Sequence, residues 1–327
     1  MDVFSLLDYM KYIRVASNDS WNESPLRRLA QHQVPSDLLG RQSWLLEADA
    51  RMTWANWYID GLINQTRYVQ NDHLGYASLY TEIRQQLVEQ DPLTPIDEIS
   101  NAATAISELA WENISRRREV MRRRISLETR EQLWFASEPS PRCYLCGYLF
   151  SALARDRYLR RDGSHRAVTW ELPLVVDFTR SRGLVTRDLT IEIDHVTPVA
   201  SGGETHIANL RLACGWCNRT KGSRGNLYDA PAATADVIQV RDIGNVSIPQ
   251  PLWILRVVAT RGRCEHPSGC TATLMDHELF VTPRNLDGTL NPVNCLVYCK
   301  VHDPWAIVRY VGRDVFSRKT SIKENAL

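Results

Sequence analysis

The chain has 327 residues, of which 44% are hydrophobic, and its formal net charge is only +1. These values exclude a low-complexity or disordered protein, and so small a net charge does not by itself identify a nucleic-acid binder. No apolar run reaches the ~18 residues of a membrane span. Asp2 stands where a secretory signal would carry basic charge. We therefore expect a cytoplasmic protein with no membrane partner.

The first part of the chain, residues 1–138, is predicted to be helical. Apolar side chains recur at helical spacing over residues 43–65 and 74–90. Pro95 and the acidic residues after it mark the start of one or two long helices. Six arginines, at 116–118 and 122–124, interrupt this region. The pattern leaves open whether they form a solvated helix surface or contact a nucleic-acid backbone.

The eight cysteines all follow residue 142. In a reducing compartment such cysteines indicate metal binding or catalysis rather than disulfides. Two Cys-x-x-Cys pairs can each supply two thiolates to one tetrahedral zinc ion. The sequence therefore predicts a structural zinc site whose ligands are Cys143, Cys146, Cys214 and Cys217.

Residues with oxygen and nitrogen ligand atoms, which are harder than thiolate sulfur, lie among these cysteines in the sequence. A strand predicted over Leu189–Asp194 presents Asp194 and His195 at its end, and Gly202 and Gly203 are expected to turn the chain back. Asn218 directly follows a cysteine. Carboxylate and amide oxygens suit a hydrated divalent ion such as Mg²⁺ rather than the thiolate-bound zinc. An imidazole beside that ion is placed to take a proton from water.

Residues 143–222 carry the order Cys-x-x-Cys, Asp-His-x-x-Pro, Gly-Gly, Asn-Leu and Cys-x-x-Cys-Asn-x-x-Lys-Gly. This order closely resembles the HNH endonucleases of the ββα-metal fold. The resemblance implies that His195 is the general base and that Asp194 and Asn218 bind the catalytic Mg²⁺ or Mn²⁺. It also implies that Asn209 holds the loop and orients His195. The expected products of phosphodiester hydrolysis are a 5′-phosphate and a 3′-hydroxyl.

The substrate implied by the resemblance is DNA. Two alternatives stay open, namely an RNA-directed nuclease and a catalytically dead, zinc-stapled scaffold or nucleic-acid-binding protein. Such modules are frequent in bacterial restriction and anti-phage systems, so the helical part could dock a protein partner such as an ATPase or a sensor. Lys221, Arg219 and Arg224 would either contact substrate phosphates or cap a helix.

The sequence departs from the usual family pattern at two places. Asn218 stands at the third position, where many members carry His, and this variant is compatible with metal binding. A mostly basic insertion, 155–187, separates Cys146 from Asp194. This insertion is either an arm that contacts the substrate or an excursion without a function, and it contains a strand-like stretch, 167–178.

The C-terminal part contains a weaker copy of the same order. Asn294 lies five residues before Cys299, as Asn209 lies five residues before Cys214. A second zinc ion is predicted, with His266 as an alternative ligand and Cys295 pointing into the core. The predicted ligands are Cys264, Cys270, Cys299 and His302. A degenerate second site, either active or only structural, would consist of Asp276, His277, Asn294 and Asp303.

The expected fold class is α+β. We predict a helical domain over 1–138 that docks a partner or DNA, a zinc-stapled ββα-metal nuclease domain over 139–230, and a degenerate HNH-like zinc-binding module over 231–327.

Overall fold

We describe the protein from a computed structural model of the chain. The residues described are 2–19, 23–119, 125–159, 170–199, 203–230, 237–285 and 289–316. Helices fill the chain up to Phe135 and short sheets follow, which confirms the α+β class. Gly202, Arg122–Arg124 and the start of the strand-like stretch lie outside the described residues. Among the described residues, no helix combines the length and apolarity needed to cross a membrane.

The N-terminal part is helical, as predicted. Its helices are α1 (Val3–Asn18), α2 (Glu23–Gln31), α3 (Ser36–Leu39), α4 (Ser43–Leu62), α5 (Gln65–Gln70), α6 (Tyr76–Gln90), α7 (Ile96–Glu119) and α8 (Leu127–Phe135). Pro95 directly precedes α7, and Asp97 and Glu98 occupy its first turn, where the helix dipole favours negative charge. Ser126 accepts a hydrogen bond from the Thr129 amide and so caps the start of α8.

The end of α4 and helices α5, α6 and α7 enclose one hydrophobic core. Arg118, a member of the arginine cluster, lies against this core. Its guanidinium donates to the carbonyls of Tyr68, Asn71 and Leu74, the last two at 2.7 Å. Arg118 therefore satisfies the carbonyls at and beyond the end of α5, which favours a structural role over contact with a nucleic-acid backbone at this position.

Four two-stranded antiparallel sheets make up the described β-structure. The strands are β1 (Val175–Asp177), β2 (Ile191–His195), β3 (Leu210–Cys214), β4 (Val237–Val240), β5 (Gly244–Ser247), β6 (Leu279–Pro283), β7 (Cys295–Cys299) and β8 (Tyr310–Gly312). The pairs are β1 with β8, β2 with β3, β4 with β5 and β6 with β7. Further α-helices are α9 (Ala152–Tyr158), α10 (Gly215–Lys221) and α11 (Pro251–Arg261). The predicted strand before the Asp-His pair is thus confirmed as β2, which starts two residues later than expected.

One core lies beneath both the β2–β3 and the β6–β7 hairpins, with α8, α9 and α11 packed around it. The turn that carries Cys146 contacts the second hairpin directly, because the Leu279 amide donates to the Cys146 carbonyl at 3.2 Å. A side chain at Gly147 would place its Cβ 1.9 Å from the carbonyl oxygen of His277, and the φ of +75° also favours glycine. The predicted units 139–230 and 231–327 therefore share one core.

The described part of the basic insertion packs against the second hairpin and the C-terminal strand. Its strand β1 pairs with the C-terminal strand β8. Arg180 is buried and Arg182 is partly buried, and both donate to the Glu278 carboxylate, at 2.7 and 2.6 Å. These contacts bring the described part of the insertion into the interior, which does not favour the alternative of a substrate-contacting arm.

Helix α4 fixes the N-terminal part to the remainder of the chain through Asp49. This carboxylate is fully buried and accepts hydrogen bonds from the Leu227 amide at 2.8 Å and from Arg256 of α11 at 2.7 Å. Breaking a buried ion pair by removing one partner costs about 3–5 kcal/mol. The buried contact between Asp49 and Arg256 therefore fixes where α4 packs against α11.

Candidate active site and metal clusters

The four predicted ligands of the first zinc site lie together. Their sulfur atoms are all within 4.8 Å of one another, and all four side chains are buried. Two cysteines come from the turn before α9, and two come from the end of β3 and the start of α10. Burial raises the pKa of Cys143 and of Cys217, and a bound cation would stabilise their thiolate forms. Four thiolates in this arrangement could hold zinc.

The second predicted cluster also assembles. Cys264, Cys270, Cys299 and His302 place their ligand atoms within 4.8 Å of one another. His266 is absent from this group and stacks on the His302 ring, with the ring centroids 4.0 Å apart. Cys295 is buried in the shared core, as predicted. Three thiolates and one imidazole form a donor set that suits zinc.

Hairpin β2–β3 and helix α10 carry the residues of the Asp-His-Asn pattern. Side chains two apart on a strand share a face, so Glu192 and Asp194 lie on one side of β2. Helix α10 contacts this side through Asn218 and Lys221, which are three residues apart and therefore on one helix face. The two predicted ion ligands thus belong to one compact ββα unit.

Asp194 is buried, and its Oδ2 atom accepts two hydrogen bonds. Lys221 donates to it at 2.7 Å, and the Tyr144 hydroxyl donates to it from the turn that carries Cys143. Burial raises the pKa of Tyr144, and the negative charge of Asp194 raises it further. The phenol therefore stays protonated and acts as the donor.

Asn218 binds on the same face, one turn earlier in α10. Its Nδ2 atom donates to Oε2 of Glu192 at 2.5 Å. Arg187 holds that carboxylate in turn through an ion pair of 2.6 Å. The amide nitrogen of Asn218 therefore binds a carboxylate. The amide oxygen of Asn218 is the hard donor atom that is left to bind a cation.

His195 ends β2, and its Nε2 atom lies 3.1 Å from the Thr205 hydroxyl. Asn209 binds main-chain groups of the loop that follows His195: it accepts from the Thr197 amide at 2.8 Å and donates to the carbonyls of Thr197 and Glu204. Gly203 packs so closely against Thr197 in this loop that a Cβ at Gly203 would lie 1.8 Å from the Thr197 carbonyl oxygen. Asn209 therefore clamps the loop through its backbone, while the role of orienting His195 stays a prediction.

The three basic residues predicted to contact phosphates all have internal partners. Lys221 binds Asp194 and the main-chain carbonyl of His195. Arg219 donates to the fully buried Asp188 carboxylate. Arg224 donates to carbonyls at the end of α10. The structure thus favours the capping alternative for Arg224 and gives structural partners to the other two.

The β6–β7 hairpin corrects the residue equivalence predicted for the second site. Ile191 pairs with Cys214 and Leu279 pairs with Cys299, so Thr282 and Pro283 stand where Asp194 and His195 stand. The predicted counterparts, Asp276 and His277, precede β6 and are exposed, with Nδ1 of His277 3.1 Å from Oδ2 of Asp276. The Asp-His pair was matched wrongly because sequence similarity alone does not define the strand register.

Asp303 is the predicted counterpart of Asn218, and it follows His302 as Asn218 follows Cys217. It is buried, and its Oδ2 atom accepts from Nε of Arg309 at 2.6 Å. That guanidinium also contacts Asp177 at 3.0 Å and the Val281 carbonyl. The Oδ1 atom of Asp303 accepts from the Trp305 amide at 3.0 Å, so both oxygens of Asp303 have donors, whereas Asp194 has donors at Oδ2, and this does not favour Asp303 as a ligand of a second catalytic ion.

Sequence reasoning missed Tyr144, Glu192 and Thr205. The alternation along β2 could have placed Glu192 beside Asp194, because the strand was predicted correctly. Nothing in the sequence indicates that Tyr144 reaches Asp194, since fifty residues separate them. Thr205 lies in the loop after β2, whose path depends on the Asn209 clamp.

Residues 183–224 match the family model of the HNH endonuclease domain. This match covers β2, β3 and α10 and contains Asp194, His195, Asn209 and Asn218. The first cluster's Cys143 and Cys146 and the whole β6–β7 hairpin lie outside it. Comparison with curated proteins and with solved structures finds no match for the chain. The chain therefore carries an HNH endonuclease domain, flanked by regions that no comparison identifies.

Proposed function

We propose that the protein is a metal-dependent endonuclease that hydrolyses phosphodiester bonds of DNA. The observation that carries this proposal is the convergence of Asp194, His195 and Asn218 on one ββα unit within the HNH match. Beside that unit, the first cysteine cluster ties the start of α10 to the turn before α9.

The side chains divide the chemistry among them. Asp194 and Asn218 provide hard oxygen donors suited to Mg²⁺ or Mn²⁺, and the bound ion would stabilise negative charge on the phosphate and the leaving oxygen. The imidazole of His195 takes a proton from water, whose oxygen forms the new bond to phosphorus. The bond from phosphorus to the 3′-oxygen breaks, and that oxygen is protonated to leave a 3′-hydroxyl and a 5′-phosphate.

Cleavage of plasmid, linear and single-stranded DNA and of RNA, with Mg²⁺ or Mn²⁺, tests the proposal. We expect DNA to be cut, and we expect His195→Ala to abolish cutting without changing zinc content or the unfolding temperature. Cutting of RNA alone would establish the RNA-directed alternative. Absence of any cutting, including with proteins encoded next to this one, would favour the dead, zinc-stapled scaffold.

We further propose that the helical N-terminal part docks a protein partner, such as an ATPase or a sensor, in a restriction or anti-phage system. Trp54 and Trp57 lie three residues apart on α4 and are 63% and 67% exposed. Co-elution with proteins encoded nearby should be lost in Trp54→Ser and Trp57→Ser and kept in Glu47→Gln. Co-elution of both tryptophan variants with the same partner would exclude this face.

A further inference from the structure

Two residues outside the Asp-His-Asn pattern hold the two predicted ion ligands in place. We infer that Tyr144 and Glu192 are positioning residues of the divalent-ion site, with Tyr144 orienting Asp194 and Glu192 orienting Asn218. This inference rests on the proposed function, because it assigns roles within the same site. Their hydrogen bonds go to Asp194 and Asn218, so the role assigned to both residues is exerted through these ligands.

The contact of Tyr144 selects one oxygen of Asp194. The Tyr144 hydroxyl and the Lys221 ammonium both donate to Oδ2. Within the part of the chain that the structure describes, no hydrogen bond to Oδ1 is found. The carboxylate is buried, so its rotation is restricted by these two donors, and Oδ1 is the oxygen left for an ion. Hydrogen-bonded carboxylate ligands of this kind are oriented by their outer partners.

The contact of Glu192 selects one atom of Asn218. An amide offers a donor and an acceptor, and a carboxylate can accept only from the donor. Because Glu192 accepts from Nδ2, the Asn218 side chain must present Oδ1 to a cation. Arg187 restrains Glu192 through contacts of 2.6 and 3.3 Å to its two oxygens, which limits the rotation of the carboxylate.

The second hairpin provides an internal comparison, because it lacks the ligands and the positioning residues together. The Tyr144 amide donates to the Leu212 carbonyl, and the Glu265 amide donates to the equivalent Val297 carbonyl. Glu265 thus stands at the Tyr144 position, where its carboxylate accepts from the Val297 amide. Phe280 stands at the Glu192 position in the strand register. Each positioning residue is present where there is a ligand to orient, and is replaced where there is none.

Tyr144 also connects the cysteine cluster to the ion site. It lies between Cys143 and Cys146, and both of these cysteines belong to the first cluster. A metal held by that cluster would fix the turn from which the Tyr144 hydroxyl reaches Asp194. The cluster therefore stabilises the fold and also sets the position of a catalytic carboxylate.

The test is Mn²⁺ binding to the full-length, zinc-loaded chain, measured by calorimetry with Asp194→Ala as the background. Tyr144→Phe and Glu192→Ala should each weaken Mn²⁺ binding by about 10- to 100-fold. Glu192→Gln keeps an acceptor oxygen for Asn218 and should restore most of the affinity. Tyr158→Phe is the matched control, since its hydroxyl donates to the Arg130 carbonyl at 3.2 Å, away from the site. Zinc content and unfolding temperature should not follow the loss of affinity.

Cleavage gives the second readout. In Tyr144→Phe the Mn²⁺ concentration for half-maximal cutting should rise, while the rate at saturating Mn²⁺ stays close to wild type. Unchanged Mn²⁺ affinity in both Tyr144→Phe and Glu192→Ala would overturn the inference, as would wild-type protein that binds no Mn²⁺. Wild-type protein that binds Mn²⁺ with the expected losses in the variants, yet cuts no nucleic acid, would overturn the proposed function and leave the inference standing.

Discussion

The β2–β3 and β6–β7 hairpins share one backbone arrangement, which we call the frame, but they carry different side chains at equivalent positions. Each hairpin pairs five residues per strand and ends beside a four-ligand cluster. In each, one asparagine accepts from a loop amide at 2.8 Å and donates to two loop carbonyls: Asn209 after β2 and Asn294 after β6. The shared frame therefore depends on the clusters and the clamp, and neither of these requires a catalytic residue.

The two hairpins differ at the end of the first strand and after the last cluster ligand. Asp194 and His195 of the first correspond to Thr282 and Pro283 of the second. Proline offers no titratable group, and Thr282 is fully buried. Asp303 keeps an oxygen at the third position but uses it to neutralise Arg309. A common frame thus supports a reactive site in one copy and an ion pair of the core in the other.

Removing one ligand of the first cluster should have the largest effect. In Cys214→Ala we expect loss of one zinc ion per chain and cooperative unfolding of both hairpins, because structural zinc contributes on the order of 10 kcal/mol to folding. Metal analysis and thermal unfolding measure these effects. Cys295→Ala is the matched control, since Cys295 is buried outside both clusters, and it should cost about 1 kcal/mol and no zinc. Equal destabilisation by the two variants would contradict a metal-binding role.

Asp303 and Asn218 are equivalent in position and should respond in opposite ways. Asp303→Ala leaves the buried Arg309 with one carboxylate fewer and should reduce the free energy of unfolding by on the order of 3 kcal/mol. Asn218→Ala removes one hydrogen bond and should cost about 1 kcal/mol while lowering metal-dependent cleavage. Chemical denaturation and cleavage assays on both variants measure the contrast. A stable Asp303→Ala protein with lower cleavage would show that the two positions do share a role.

Substitution of the two clamp residues, Asn209 and Asn294, should have similar effects on stability and different effects on cleavage. Asn209→Ala and Asn294→Ala each remove three hydrogen bonds to loop backbone and should each reduce the free energy of unfolding by about 1–3 kcal/mol. Cleavage should fall only in Asn209→Ala, because the clamped loop follows His195 directly. Comparable loss of cleavage in Asn294→Ala, at a temperature where both variants stay folded, would assign activity to the second hairpin.

Substitution of His277 should have the smallest effect. Its side chain is 48% exposed and lies against the exposed Asp276, so His277→Ala should change the free energy of unfolding by less than about 0.5 kcal/mol. Cleavage should be unchanged, in contrast to His195→Ala. Loss of cleavage in His277→Ala would restore the prediction of a second catalytic Asp-His pair.

Much of the fold and of the site could be predicted from local patterns in the sequence. Helical spacing predicted α4 and α6, Pro95 and the acidic residues after it predicted the start of α7, and paired cysteines at ligand spacing predicted which side chains would form the first cluster. The register of the second hairpin was not predictable, since two Asp-His pairs look alike in sequence. The ion pairs of Asp49 and Arg309 were not predictable either, because they join distant segments through contacts that leave no periodic pattern in the sequence, while the division into three units stays a prediction.

The sequence by itself determined the ligand types and their order, because zinc and hard-ion chemistry restrict residue identity and spacing. Only the tertiary structure decided how these ligands are held. Tyr144 approaches Asp194, and Arg309 engages Asp303, across long stretches of chain. The physical reason is that burial makes each polar group depend on a specific partner, and those partners are set by how the hairpins pack on a shared core.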